Sequence, residues 1–221
     1  MASPKITLYV DVISPFAYLA YYMLRHHPIF RPVTITYKPI LLGGLMKSCD
    51  NRAPIEIRNK DKWIHVERLR WAHQFHVPMS KKGPDPFPFP TLHVQRFLTA
   101  LNVTYPDKLT AALDTLYASL WTESSESKIA DPKVFGPILE KALGKDVVSE
   151  CIAKMGEADV KKQLVASTEE AFANGAFGLP WFQCENGRGE VEGFWGFDHL
   201  GQVVRFLGLD DGGKGEIRAL L

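Results

Sequence analysis

The chain has 221 residues, of which 46% are hydrophobic and 23% charged, and its formal net charge is +1. That length and balance suit one large or two small globular domains with a substantial core. No basic stripe with interleaved aromatics occurs and the apolar runs are far too short to span a bilayer, which argues against nucleic-acid and membrane partners.

Ile6, Leu8 and Val10 alternate with Thr7 and Tyr9, the pattern of a strand. No charged-then-apolar signal segment precedes it, so the expectation is an intracellular, non-secreted protein. Asp11-Val12-Ile13-Ser14-Pro15 follows, and a helix is expected over Pro15–His26, with Phe16, Leu19, Tyr22 and Met23 on one face. Ser is a good N-cap and Pro fits the first helical position, so Ser14 stands where strand hands over to helix. Its hydroxyl then lies beside unpaired backbone N–H groups and the positive end of a helix dipole. Pro28 stops the helix. Val33 to Tyr37, rich in β-branched residues, reads as a second strand, parallel to the first through a right-handed crossover. Residues 41–61, with Gly43-Gly44, Ser48 to Arg52 and Pro54, read as a loop.

Strands then disappear for over a hundred residues. Trp63, Val66, Leu69 and Ala72 mark a helix face, and Pro84 to Pro90 a stiff extended segment. Helical spacing returns at Val94–Leu101, after Pro106, after Asp131-Pro132 as far as Gly144, and through Val148, Val160 and Phe172. Trp181 to Cys184 is strand-like, Asn186-Gly187-Arg188-Gly189 is a hairpin turn, and Val191 to Trp195 is the return strand. A last helix starts at Phe197-Asp198-His199 and stops at Gly208, and the polar, Gly-rich tail after Asp210 is expected to be mobile.

The order is βαβ over 1–61, a helical insertion over 62–175, and ββα over 176–221. Joined end to end, the outer parts give an α/β, thioredoxin-like fold interrupted by a large all-helical insertion. In that arrangement the reactive cysteine stands where this chain has Ser14-Pro15-Phe16-Ala17. The fold also carries a cis-proline before its third strand, which here falls at Leu179-Pro180. The backbone of Leu179 would be free to pair with an extended peptide.

Cys49, Cys151 and Cys184 are odd in number, widely spaced and without a C-x-x-C, which argues against a disulfide framework, a zinc site and a dithiol redox centre. The seven histidines lack ligand spacing, and no metal is expected.

The chain resembles the kappa class of glutathione transferases, which shares a DsbA-like fold with the 2-hydroxychromene-2-carboxylate isomerases. The likeness rests on Tyr9 to Phe16, Gly43 to Lys47, Asp50 to Pro54, Arg96 to Ala100, Gly175 to Pro180 and Phe194 to Asp198. It implies a detoxifying transferase with glutathione as co-substrate, a small apolar electrophile as partner, and peroxidase or isomerase chemistry as a side activity. Ser14 would hydrogen-bond the glutathione thiolate. Asn51 and Lys60 would hold the glycyl end, with Arg58 or Lys62 as substitutes for Lys60. Leu179, before Pro180, would pair with the cysteinyl unit, and Asp198 with the backbone of Phe197 would bind the γ-glutamyl end. The family usually has a small polar residue where this chain has Phe197. Phe16, Trp63 and Phe89 would line the electrophile pocket, with Trp71 in the same wall. The resemblance also implies a homodimer in mitochondria or peroxisomes, with the cytoplasm as an alternative. The end, Arg218-Ala219-Leu220-Leu221, only loosely matches a peroxisomal terminus. A glutathione-dependent chromene-carboxylate isomerase and a non-catalytic peptide-binding protein of the same fold are the competing readings.

Overall fold

Apolar side chains on both faces of one strand put that strand in the middle of a sheet, and this is the position of β1 (Lys5–Val10). The computed structural model describes residues 2–122 and 127–209, so the tail after Asp210 and the terminal Arg218 to Leu221 lie outside the described residues. The sheet order is β2-β1-β3-β4, with β2 at Thr34–Pro39, β3 at Trp181–Glu185 and β4 at Val191–Trp195. β1 runs parallel to β2 and antiparallel to β3, and β3–β4 is an antiparallel hairpin. Two halves distant in sequence therefore build one sheet.

The first crossover is α1 (Pro15–His26), and between β2 and β3 lie α2 (Leu42–Ser48), α3 (Lys60–Gln74), α4 (Leu92–Thr104) and α5 (Leu109–Trp121). They are followed by α6 (Pro132–Leu143), α7 (Lys145–Lys154) and α8 (Ala158–Ala173), and α9 (Leu200–Phe206) closes the described chain. One face of the sheet, through Ile6, Leu8 and Val10, joins the main core with Leu19, Phe97, Leu116 and Phe135. The other face is covered by α2 and α8, where Tyr9, Ile40, Leu45, Ala171 and Trp181 form a second cluster. Burying each such side chain contributes roughly 1.5–3 kcal/mol, so both faces hold helices of the long central segment.

Residues 41–61 are not a plain loop. Leu42–Ser48 is helical and Pro54–Glu56 makes a short 3-10 turn. Gly43-Gly44 hid the helix, because glycine is a poor helix former. Tertiary contacts override that. A Cβ at Gly44 would already touch the Thr168 side chain at 3.6 Å, so the residue seats α2 against α8.

The N-terminus of α2 is held by Asp11, which is fully buried. Its carboxylate accepts from the N–H groups of Ile13 (3.3 Å) and Leu42 (2.9 Å), the Thr91 hydroxyl (2.9 Å) and the Gln95 amide (2.9 Å). The chain after β1, the start of α2 and the start of α4 meet on one group. Burial pushes this carboxyl up to about 6 from 3.8, with the four donors pulling the other way.

Because the native pKa of Asp11 lies above the unfolded one, the folded state holds a proton that the unfolded chain has released between about pH 4 and 6. The resulting stability is fully present below that window and is lost as pH rises through it, by up to about 3 kcal/mol. Urea unfolding across this range, referred to the non-titrating Asp11→Asn, should show the fall, and a flat difference would refute it. At Gly193, a Cβ would meet Cζ2 of Trp181 at 2.3 Å. Gly193→Ala is expected to cost about 1–3 kcal/mol, read as a lower urea midpoint, because an aromatic ring packed in a cluster cannot easily move aside.

Candidate active site

Ser14 has extended backbone angles (φ −88°, ψ 115°), and its hydroxyl oxygen accepts the Ala17 N–H at 3.1 Å. Its own N–H donates to the Asp11 carbonyl at 3.2 Å. Pro15 fills the first helical position as expected. The hydroxyl is thus used as an acceptor only. Among the described residues its proton has no acceptor. With Ser14 only 7% exposed, that proton is a donor held at the positive end of α1.

Tyr9 pairs with Trp181 at the end of the β1–β3 ladder, so Leu179-Pro180 runs beside the chain that leaves β1. The Leu179–Pro180 bond is cis. Leu179 packs in one cluster with Ala17, the residue that Ser14 caps. Among the described residues, neither the N–H nor the C=O of Leu179 has a hydrogen-bond partner. The Pro180 carbonyl is occupied: it accepts the Gly196 N–H at 3.0 Å. That bond places Gly196-Phe197-Asp198 next to Pro180.

Asn51 reaches the same place from the other side. Its amide donates to the Phe177 carbonyl at 2.8 Å, and the Cys49 thiol lies 3.7 Å from that carbonyl. The Asp198 carboxylate is 61% exposed and 3.4 Å from Nδ1 of His199. A Cβ at Gly196 would meet it at 2.4 Å, and Gly196 has φ 95°, so glycine is required there twice over. Phe197 is 1% exposed, with its ring against Trp71 (5.6 Å) and Phe75 (5.5 Å). Its side chain serves the core and leaves only its backbone for a ligand. Lys60 is exposed at the start of α3 and makes no hydrogen bond or ion pair with any of these groups. Arg58 and Lys62 are exposed as well. The structure therefore joins Ser14, Asn51, Leu179, Pro180, Phe197 and Asp198, and shows no contact between Lys60 and any of them.

Beside Pro15 lies a cavity of about 300 Å³ between the start of α1 and the helices of the central segment. Its walls include Ile64 and Arg68 of α3, Phe87 of the proline-rich segment and Trp121 of α5. None of the expected Phe16, Trp63 and Phe89 lines it. Phe16 packs against the main core, Phe89 is part of that core, and Trp63 is 55% exposed. In each case a near neighbour in sequence takes the place. For α3 the reason is a rotated buried face: Val66 is exposed, while Arg68 and Ala72 are buried. The apolar stripe read through Trp63, Val66, Leu69 and Ala72 includes the buried Ala72 but misses Arg68, because an arginine counts as a surface charge in such patterns. Trp71 packs on Phe75 and Phe197 and not on the cavity.

The thiols of Cys151 and Cys184 are buried and pushed up, to about 11 and about 12, by burial first. Neither suits thiolate chemistry. Among the described residues no group of three or more His, Cys, Asp or Glu is placed to hold a metal. No described helix is long and apolar enough to cross a membrane.

Residues 5–208 match the family of DSBA-like thioredoxin domains. Glutathione s-transferase kappa 2 of Caenorhabditis elegans is 29% identical over 213 residues, covering 91% of this chain and 91% of that protein. Glutathione S-transferase kappa 1 of Homo sapiens is 26% identical over 214 residues, covering 92% and 90%. A solved 2-hydroxychromene-2-carboxylate isomerase superposes with a TM-score of 0.76 at 20% identity, covering 92% of this chain and 94% of that one, which speaks for the fold alone. With one sheet built from both ends of the chain, a helical segment between them and a match along nearly all the described residues, the chain belongs to the DSBA-like thioredoxin family.

Proposed function

We propose that the chain is a kappa-type glutathione transferase, which activates the thiol of glutathione at Ser14 for attack on small electrophiles. The observation that carries this is the one-sided use of the Ser14 hydroxyl: its oxygen caps α1 and its proton is left to donate. A free thiol has a pKa near 8.5 and is mostly protonated at neutral pH. One hydroxyl donor and the amides at a helix start favour the thiolate, and a depression of roughly 1–2 units is worth about 1.4–3 kcal/mol. The likeness to two kappa-named relatives over nine-tenths of their length supports the assignment.

The tripeptide would lie along the ledge formed by Leu179-Pro180 beside the start of α1. Its cysteinyl unit would pair with the free N–H and C=O of Leu179, held in place by Pro180. The γ-glutamyl end would reach Asp198 and the Phe197 N–H, and the glycyl carboxylate Asn51 and the exposed Lys60. In the reaction the thiol first loses its proton to solvent. The sulfur lone pair then forms the carbon–sulfur bond, and the displaced group, a halide for an aryl halide, leaves with the bonding pair. Ser14 supplies a hydrogen bond throughout and forms no covalent bond, since among the described residues no histidine hydrogen-bonds its hydroxyl as a base. Assembly as a homodimer and an address in mitochondria or peroxisomes rest on the family resemblance.

Ser14→Ala removes both the cap and the donor. Loss of the cap should cost about 1 kcal/mol of stability. Loss of the donor should lower kcat/KM with an aromatic halide by roughly a hundredfold, the scale for one preorganised donor. It should also raise the pKa of bound glutathione, followed by thiolate absorbance. An unchanged rate and pKa in a folded variant would remove Ser14 from this role.

A further inference from the structure

Arg68 is the outlier of the cavity. It is 2% exposed, and among the described residues no carboxylate pairs with it. Its guanidinium donates to the carbonyls of Ser80 (2.8 Å) and Lys81 (3.0 Å) and to Nδ1 of His65 (3.2 Å). Arginine has no acceptor atom, so in that bond His65 Nδ1 is the acceptor. Three bonds leave two of the five guanidinium N–H groups without a protein partner among the described residues. The group stands 5.8 Å from the Trp121 ring centroid, and a Cβ at Gly83 would lie 3.9 Å from Nη2. Gly83 and Trp121 are themselves cavity walls.

A buried charge is normally paired, because carbonyl dipoles and a ring face replace only part of its lost hydration. Here the missing counter-charge faces a cavity large enough for a small aromatic molecule and bordered by Pro15, next to Ser14. We propose that this cavity selects electrophiles carrying a carboxylate or similar anionic group on an apolar body, with Arg68 as the receptor of the anion. The donors left over, Nε–H and one Nη1–H, offer an anion a charge-assisted hydrogen bond, and Ile64, Phe87 and Trp121 take the apolar body. Asp61 also borders the cavity, but it is exposed at the start of α3, where water and salt screen it. The inference rests on the transferase reading only for the word electrophile; the anion site stands or falls on binding.

The first test therefore omits glutathione. Calorimetry of the wild-type protein with para-nitrobenzoate and with para-nitrobenzamide should give at least about tenfold tighter binding of the acid, the scale of a charge-assisted pair. Equal affinities, or no binding of the acid at millimolar concentration, would overturn the proposal. Arg68→Gln should erase the preference and Arg68→Lys keep part of it; a preference that persists in a folded Arg68→Gln would equally overturn it. The wild-type comparison decides the matter should the Gln variant fail to fold. With glutathione present, the ratio of kcat/KM for a chlorodinitrobenzoate to that for the matching amide should fall about tenfold in Arg68→Gln. A purely structural Arg68 would lower both rates and leave the ratio alone, which counts against the proposal. Acid-selective binding without any turnover would instead sink the transferase reading and uphold the anion site.

Discussion

One buried carboxylate holds the site together. Asp11 accepts four hydrogen bonds from groups 2, 31, 80 and 84 residues away, and its own carbonyl accepts the N–H of Ser14. Removing the acceptor would leave buried donors unsatisfied on three segments at once, which costs more than the loss of any one bond. The same group starts α2, receives the start of α4 and sets the turn that presents Ser14. The chain after β1 is thus fixed by contacts to the central segment and not by local turn chemistry alone. This is why a helical segment placed between two halves of a sheet belongs to the site and is no appendage.

The ledge at the sheet end works by sorting donors from acceptors. At a helix start the N–H groups are in excess, so a serine there spends its oxygen on the backbone and keeps its proton. Beside it, Leu179 has an N–H and a C=O with no partner among the described residues, the pattern that an extended peptide can complete. A hydroxyl at this place cannot do the electron exchange of a thiol. The chain has the architecture of the DSBA-like thioredoxin domains with a serine hydroxyl, whose proton has no acceptor among the described residues, at the start of α1. Phe197 shows how such a ledge tolerates change. Its ring is taken up by Trp71 and Phe75, while its backbone stays at the turn tied to Pro180 by Gly196.

What could be read from the residues follows the range of the forces involved. β1, the Ser14-Pro15 start of α1, the Asp131-Pro132 start of α6 and the Asn186–Gly189 hairpin were legible, because caps, prolines and alternation act within a few residues. That Ser14, Leu179 and Asp198 sit at element boundaries was legible from caps and prolines, but grouping them at one place came from the family resemblance and not from local rules. α2 was not. Gly43-Gly44 argues against a helix, and the groups that enforce one, Asp11 and Thr168, are far away in sequence. The buried face of α3 was misread for a related reason: Arg68 is buried by carbonyls of the segment after α3 and by a ring on α5. Only the near neighbours of the cavity walls could be named, because a shift of one residue on a helix turns the side chain by about 100°.

The two parts of the site differ in how they are built, and this bears on how the fold changes chemistry. The ledge is made by strand ends, a helix cap and a turn, whose backbone groups persist through most side-chain substitutions. The cavity is made mostly by side chains of α3, the proline-rich segment and α5, each held by packing within the central helices. A substitution on α3 or in the proline-rich segment alters shape or charge without touching the Asp11 contacts, which tie the chain before Ser14 to the backbone of α2 and to side chains at the start of α4. Trp121 and Pro15 bridge the parts: the Trp121 indole N–H donates to the Val12 carbonyl at 3.0 Å while its ring borders the cavity, and Pro15, next to Ser14, borders it too. Changes in the nature of the second substrate should therefore concentrate in the central helices, and changes in the use of the thiol at the boundary residues of β1, α1 and β3.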